Sequence, residues 1–173
     1  IQYRSWCPHC VHGRGVSSPH RTDQEVEDLG VATLSMDYCF MTEEEKDEEI
    51  CPTLIVYDDK AMSIWALPVE NKGSVDYVVK WFVGKLEESG YGGEKVAIKS
   101  DQEVAILALK RAVIAARQGE TVPIESPVRE SKCNGAVERA VRTWQGQMRT
   151  IKHHVEHCLQ ERLAHDHPLT QWM

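Results

Sequence analysis

Long apolar stretches are missing from this sequence. Its apolar runs are short, such as Ala112 to Ala116 between Arg111 and Arg117, whereas a helix crossing a bilayer needs about 20 such residues. No membrane-spanning helix is expected. Positive charge is also in deficit, with 20 Lys and Arg against 27 Asp and Glu and a net of −7, which taken alone speaks against a nucleic-acid partner. The six cysteines form no disulfide framework: only Cys7 and Cys10 are close, while Cys39, Cys51, Cys133 and Cys158 are scattered. That pattern fits an intracellular chain with the isolated cysteines as small buried hydrophobes. No repeat or low-complexity tract occurs, and no basic segment followed by an apolar one opens the piece, so no secretory signal is expected in it. What remains is 173 residues, 42% of them hydrophobic, enough for one core with a small appendage.

The charge is unevenly spread. Residues 42 to 50 hold six acids and one lysine, a local net of −5, as a solvated loop would. From Val128 to Lys152 the balance reverses to +4, enough for a surface facing phosphates.

Breakers crowd residues 1–30, where Pro8, Gly13, Gly15, Ser17, Ser18 and Pro19 leave little periodicity. Period-two alternation then begins: Leu34, Met36, Tyr38 and Phe40 share one face of a strand over Ala32 to Phe40. Strands over Thr53 to Tyr57 and Ser63 to Val69 complete an antiparallel meander. Helical spacing follows, with Ser74 as N-cap, Val75, Val78, Val79, Phe82, Val83 and Leu86 on one face, and glycines 90, 92 and 93 as the stop. A fourth strand over Val96 to Ser100 leads to a helix from about Gln102 to Gln118, then a short strand near Val122 to Glu125. A last helix from Asn134 to about Leu163 carries the apolar stripe Val137, Val141, Trp144, Met148, Ile151, Val155 and Cys158. The order β-β-β-α-β-α-β-α implies an α/β fold, a mixed five-stranded sheet with helices on both faces, which is the ribonuclease H-like order.

Asp37 lies within an otherwise apolar strand, where an unpaired carboxylate costs on the order of several kcal/mol. Either a buried ion pair or a metal must compensate it. Asp101 ends the fourth strand, where it serves as a helix cap or as a second ligand. Glu138 lies in the first turns of the last helix; with Asn134 as N-cap the capping-box position is Val137, so capping does not explain the glutamate, and a pair with Arg142 is the simpler alternative. Together, two strand aspartates and a helix glutamate are the donor set needed by two hard cations about 4 Å apart, one activating a nucleophile and the other stabilising the leaving oxygen.

Asn134-Gly135-Ala136-Val137-Glu138-Arg139-Ala140-Val141-Arg142-Thr143 resembles the Asn-Gly-x-x-Glu-Arg-x-x-Arg-Thr signature of LTR-retrotransposon integrases, the copia-type group above all. Met36-Asp37-Tyr38 is similar to that family's first-aspartate strand, Lys99-Ser100-Asp101 to its second, and Tyr57-Asp58-Asp59-Lys60 to its hairpin between the second and third strands. The likeness covers Val31 to about Leu159, with 36 residues between Asp101 and Glu138. Gln102-Glu103 departs from the family's usual Asn-Gly pair. The resemblance implies that Asp37, Asp101 and Glu138 are catalytic carboxylates holding Mg²⁺ or Mn²⁺, for 3′-end processing of element DNA and transfer of the 3′-hydroxyl into target DNA. It further implies a homo-oligomer working in the nucleus or in a cytoplasmic virus-like particle. On this reading residues 1–30 are the remnant of a zinc-binding region with its linker, and residues 31–173 are a catalytic core cut short at its C-terminal end.

Trp6-Cys7-Pro8-His9-Cys10 is then half of a zinc site, Cys7 and Cys10, whose Zn²⁺ is completed by histidines upstream in the full-length protein. A redox role is disfavoured, since residues 11–15 make a poor helix. His12 or His20 could complete a makeshift site, while His153, His154 and His157 read as a solvated helix face. Asp58 and Asp59 read as turn residues. The DNA-facing cations are Lys132, Arg139, Arg142, Arg149 and Lys152, the last three on one polar stripe with Glu138. Two competing readings are a catalytically silent DNA-binding or scaffolding protein of the same fold and a ribonuclease H that cuts hybrids.

Overall fold

The structure, a computed structural model, describes residue 4 and residues 6–14, 30–41, 51–125, 135–164, 167 and 169. In chain order the elements are α1 (Pro8–Arg14), β1 (Ala32–Cys39), β2 (Thr53–Asp58), β3 (Ser63–Pro68), α2 (Asp76–Glu88), β4 (Val96–Ser100), α3 (Val104–Ala116), β5 (Thr121–Glu125) and α4 (Gly135–Leu159). They form two compact units, one of residues 27–141 and one of residues 1–26 with 142–173, so that α4 contributes to both.

Alternation builds the sheet of the first unit. Ala32, Leu34, Met36 and Tyr38 point from β1 to one face and are buried. β2 pairs antiparallel with β1, setting Met36 opposite Val56, and β3 pairs antiparallel with β2. On the other side β4 runs parallel to β1, and β5 parallel to β4. The resulting order, β3-β2-β1-β4-β5, is the mixed ribonuclease H-like order expected from the sequence. Pro123 occurs in β5, at the edge, where its missing N–H breaks no ladder.

Two helices cover one face. Val78, Phe82 and Leu86 of α2 and Ile106, Leu109 and Val113 of α3 are buried in one cluster with Leu34, Met36, Leu54, Val56, Val96 and Ile98. Gly90, at φ +83°, lets the chain reverse after α2, and Tyr91 N–H closes the turn on the Leu86 carbonyl at 2.7 Å. Ser35, Ile55 and Ala97, on the opposite face, are buried as well, as are Val137 and Ala140 at the start of α4.

Several expected boundaries shift for identifiable reasons. α3 begins at Val104 because the Asp101 carboxylate accepts the Glu103 N–H at 3.2 Å, holding a turn ahead of the helix. At α2 the cap is Val75 and no side chain caps it, so Ser74 is not the N-cap. A helix also forms at Pro8–Arg14, where the sequence reading found only breakers. Proline is tolerated in a first turn, whose N–H groups lack helical acceptors anyway. Gly13 serves close packing instead: a β-carbon there would lie 2.6 Å from the backbone nitrogen of Thr150 in α4. The acidic stretch 42–50, Lys132 and Asn134 lie outside the described residues.

Arg117, just past α3, ties three segments of the first unit together. Its guanidinium donates to the carbonyls of Tyr91, Glu94 and Glu120 at 2.7–2.8 Å and to the Thr121 hydroxyl. Gly119 leaves room here, since a β-carbon there would fall 2.7 Å from the Glu94 carbonyl oxygen that accepts from this guanidinium. Removing a buried charged donor leaves several carbonyls unsatisfied, so Arg117→Ala is expected to lower unfolding free energy by about 2–4 kcal/mol. Urea denaturation measures it, and a loss under about 0.5 kcal/mol would show that the hub carries no weight.

Candidate active site

Strand register brings two acids together. β1 and β4 run parallel with Ser35 opposite Lys99. Asp37 is two residues beyond Ser35, and Asp101 two residues beyond Lys99. Both therefore emerge on the same face at the carboxyl ends of neighbouring strands, which lie about 4.8 Å apart, at the end of an α/β sheet where ligands bind. Asp37 is half-buried and its Oδ1 accepts the Tyr38 N–H at 2.8 Å. Burial pushes its carboxyl up to about 6, the charge of Asp101 adds to this, and Glu103 adds more; the Tyr38 N–H and the Lys72 ammonium act the other way.

Lys72 and Glu103 complete this polar cluster, and sequence reasoning passed over both. Lys72 Nζ stands 3.0 Å from Glu103 Oε1, 5.3 Å from the Phe40 ring centroid and 5.8 Å from that of Tyr38. The Tyr38 hydroxyl accepts the Gly73 N–H at 3.1 Å, fixing the backbone beside Lys72 to β1. Gly73 has φ +122°, a conformation that other residues rarely adopt. The only local signal was the Gln102-Glu103 departure from the integrase pattern.

Asp58 is more than a turn residue. Its carboxylate, fully buried, accepts from the backbone N–H groups of Lys60 and Ala61 at 3.0 and 3.1 Å and from the Tyr91 hydroxyl at 2.9 Å. Asp59 is exposed and accepts the Thr33 N–H at 2.7 Å. Neither belongs to the Asp37 cluster.

Glu138 occupies the first turn of α4 and is half-buried. Among the described residues no three His, Cys, Asp or Glu side chains form a group able to hold a metal ion as they stand, so Asp37 and Asp101 are paired here without Glu138 completing a triad. Of the expected DNA-facing residues, Arg139, Arg142 and Arg149 are exposed and Lys152 is half-buried. Arg149 also donates from Nε to the Gly13 carbonyl at 3.2 Å.

In the second unit Cys7 precedes α1 and Cys10 is buried in its first turn; both are free thiols. The Cys7 thiol is lowered, chiefly by a hydrogen bond from the Cys10 backbone. The helix removes one reason for setting a redox role aside, since residues 11–14 are helical after all. His153, His154 and His157 are not a plain solvated face: His9 Nδ1 lies 2.6 Å from His153 Nδ1, and the His9 ring centroid lies 4.9 and 5.4 Å from those of His154 and His157.

An acid whose folded-state value is raised favours folding when protonated. Its contribution is present below the ordinary value of 3.8 and is lost as pH rises through about 6. Without divalent metal, Asp37→Asn should therefore stabilise the protein at pH 7.5 by up to about 3 kcal/mol, with the gain vanishing near pH 4. Urea denaturation in EDTA across this range checks the expectation, and parallel stability curves for both proteins would refute it.

No known protein-family profile matches the sequence, and no curated protein matches it. Solved structures do resemble it. One is a chain of the simian T-cell lymphotropic virus intasome in complex with PP2A regulatory subunit B56 gamma, with 13% identity, a TM-score of 0.55, and coverage of 96% of this chain and 56% of that one. Another is the fowlpox virus Holliday junction resolvase, at 10% identity over 64% of this chain and 72% of that one; its TM-score of 0.27 carries no argument. The present chain thus spans little more than half the length of the intasome chain. The fold is ribonuclease H-like, a mixed five-stranded α/β sheet, and it is similar to the fold of that intasome chain.

Proposed function

We infer that this chain is the catalytic core of an integrase, a metal-dependent polynucleotidyl transferase of the LTR-retrotransposon, copia-like kind, acting on DNA. The observation that carries this reading is the side-by-side emergence of Asp37 and Asp101 at the ends of β1 and β4. Two adjacent carboxylates, one with its carboxyl raised to about 6, form a hard-oxygen donor set with an excess of negative charge that a divalent cation neutralises. Asp37 and Asp101 would hold Mg²⁺ or Mn²⁺, and Glu138, outside their cluster in the free protein, is the third carboxylate that the integrase resemblance implies. When bound, such ions supply charge stabilisation for in-line substitution at a phosphodiester.

The chain's own residues do the rest. Asp37 must be ionised to act as a ligand, so activity is expected to rise with pH through the range in which its carboxyl loses its proton. Arg139, Arg142, Arg149 and Lys152, with Lys132, offer cations to the phosphates of element ends and target DNA. In the reaction a 3′-hydroxyl oxygen forms a bond to phosphorus as the bond to the displaced 3′-oxygen breaks; the hydroxyl proton leaves to solvent, and the displaced oxygen takes up a proton from solvent to become the new 3′-hydroxyl. Holding two DNA ends at once favours a homo-oligomer, and its place would be the nucleus or a virus-like particle. Cys7 and Cys10 would hold Zn²⁺ as half of a four-ligand site in the full-length protein.

Strand transfer from a 3′-recessed duplex, read on a gel with magnesium or manganese, tests the reading. Asp37→Asn, Asp101→Asn and Glu138→Gln should each lower the rate by at least about a hundredfold, while Asp59→Asn should change it little. Activity surviving in all three would sink the carboxylate assignment. Cleavage of an RNA–DNA hybrid in place of strand transfer would favour the nuclease reading. For zinc, these 173 residues should bind substoichiometrically and lose the metal readily to EDTA; stoichiometric, chelator-resistant zinc would contradict the half-site.

A further inference from the structure

Among the described lysines, Lys72 pairs with an acid beside the Asp37 cluster. It stands in the middle of the loop between β3 and α2, only partly exposed, with its ammonium 3.0 Å from Glu103 and flanked by the rings of Phe40 and Tyr38. Its position is built from three sides: Gly73 is hydrogen-bonded to the Tyr38 hydroxyl, Gly73 takes a backbone conformation suited to glycine, and Glu103 is held by the Asp101 carboxylate through its N–H. Asp37 feels the charges of Asp101, Glu103 and Lys72 together. One cation is thus set among three acids where β1 and β4 end.

We propose that Lys72 is the phosphate-binding residue of the candidate active site, latched by Glu103 in the free protein and released to a phosphodiester oxygen of the bound nucleic acid. The proposal rests on the integrase reading and adds to it a substrate contact. A partly exposed Lys–Glu pair adds little to stability, so opening it costs little. An ammonium meeting a phosphate makes a charge-assisted hydrogen bond, and the lysine offers a compact charge with three donors. The exchange also has the right sign for the cluster. A phosphate entering beside Asp37 and Asp101 brings negative charge to negative charge, and Lys72 is the protein cation already in range to offset it. When Lys72 leaves Glu103, the glutamate is left facing the two aspartates, which raises the demand for a divalent cation at the moment substrate arrives. Substrate binding and metal binding therefore reinforce one another.

The alternative is that the pair only fastens the β3–α2 loop to the segment before α3. A salt titration of binding to a short DNA duplex separates the two, using the full chain with calcium held constant and reading fluorescence anisotropy. Lys72→Met keeps the aliphatic stem on the Tyr38 and Phe40 rings and removes the charge. It should weaken binding and reduce the log–log salt slope by about one unit. Lys72→Arg should retain the slope. Glu103→Gln, which breaks the latch and keeps the shape, should tighten binding several-fold at fixed salt. Lys85→Met, at the far end of α2 where Lys85 pairs with Glu88, should leave the slope as in wild type. An unchanged slope for Lys72→Met, or weaker binding by Glu103→Gln with an equal loss of thermal stability in both variants, would overturn the proposal while leaving the integrase reading standing. A wild-type chain with no salt-dependent DNA binding at all would overturn both.

Discussion

The parallel pairing of β1 with β4 is the constraint on which the site depends. Ser35 facing Lys99 fixes the register, and the register carries Asp37 and Asp101 out of the sheet side by side. A slip of one residue would turn one of them to the opposite face, among Leu34, Met36 and Ile98. The hydrophobic alternation that buries β1 therefore also aims its aspartate. Both α2 and α3 pack on the face that carries Leu34 and Met36, leaving the aspartates on the other.

Electrostatic strain follows from that geometry. Asp37 keeps its proton more tightly than an ordinary aspartate because burial and Asp101 both oppose its charge. Asp58, a structural carboxylate, has more donors around it. Asp58 is fully buried, yet it receives two backbone N–H groups and a tyrosine hydroxyl. Asp37 receives one backbone N–H. This contrast in donors, more than burial itself, separates an acid that holds the fold from one suited to a cation.

Much of the sheet was legible because β1 alternates and β2 and β4 are short apolar runs bounded by turn residues, and Val96 to Ser100 was placed residue for residue. Asp37 stood out because a carboxylate in an apolar strand demands compensation. The α1 helix was not legible: Pro8 and Gly13 read as breakers, whereas one sits harmlessly in a first turn and the other makes room for Thr150. Lys72 and Glu103 were hidden because they are 31 residues apart and meet only through the fold. The α3 start was misplaced by two residues since Asp101 spends its carboxylate on the Glu103 N–H. The buried role of Asp58 depends on Tyr91, whose contact is equally nonlocal.

The most direct test is an NMR titration of the Asp37 side-chain carboxyl, with and without magnesium. In metal-free protein the midpoint should lie at about 6, and saturating magnesium should drive it below the ordinary value of 3.8. A midpoint that magnesium leaves unmoved, or one already near 3.8 without metal, would contradict the assignment of Asp37 and Asp101 as a metal-binding pair.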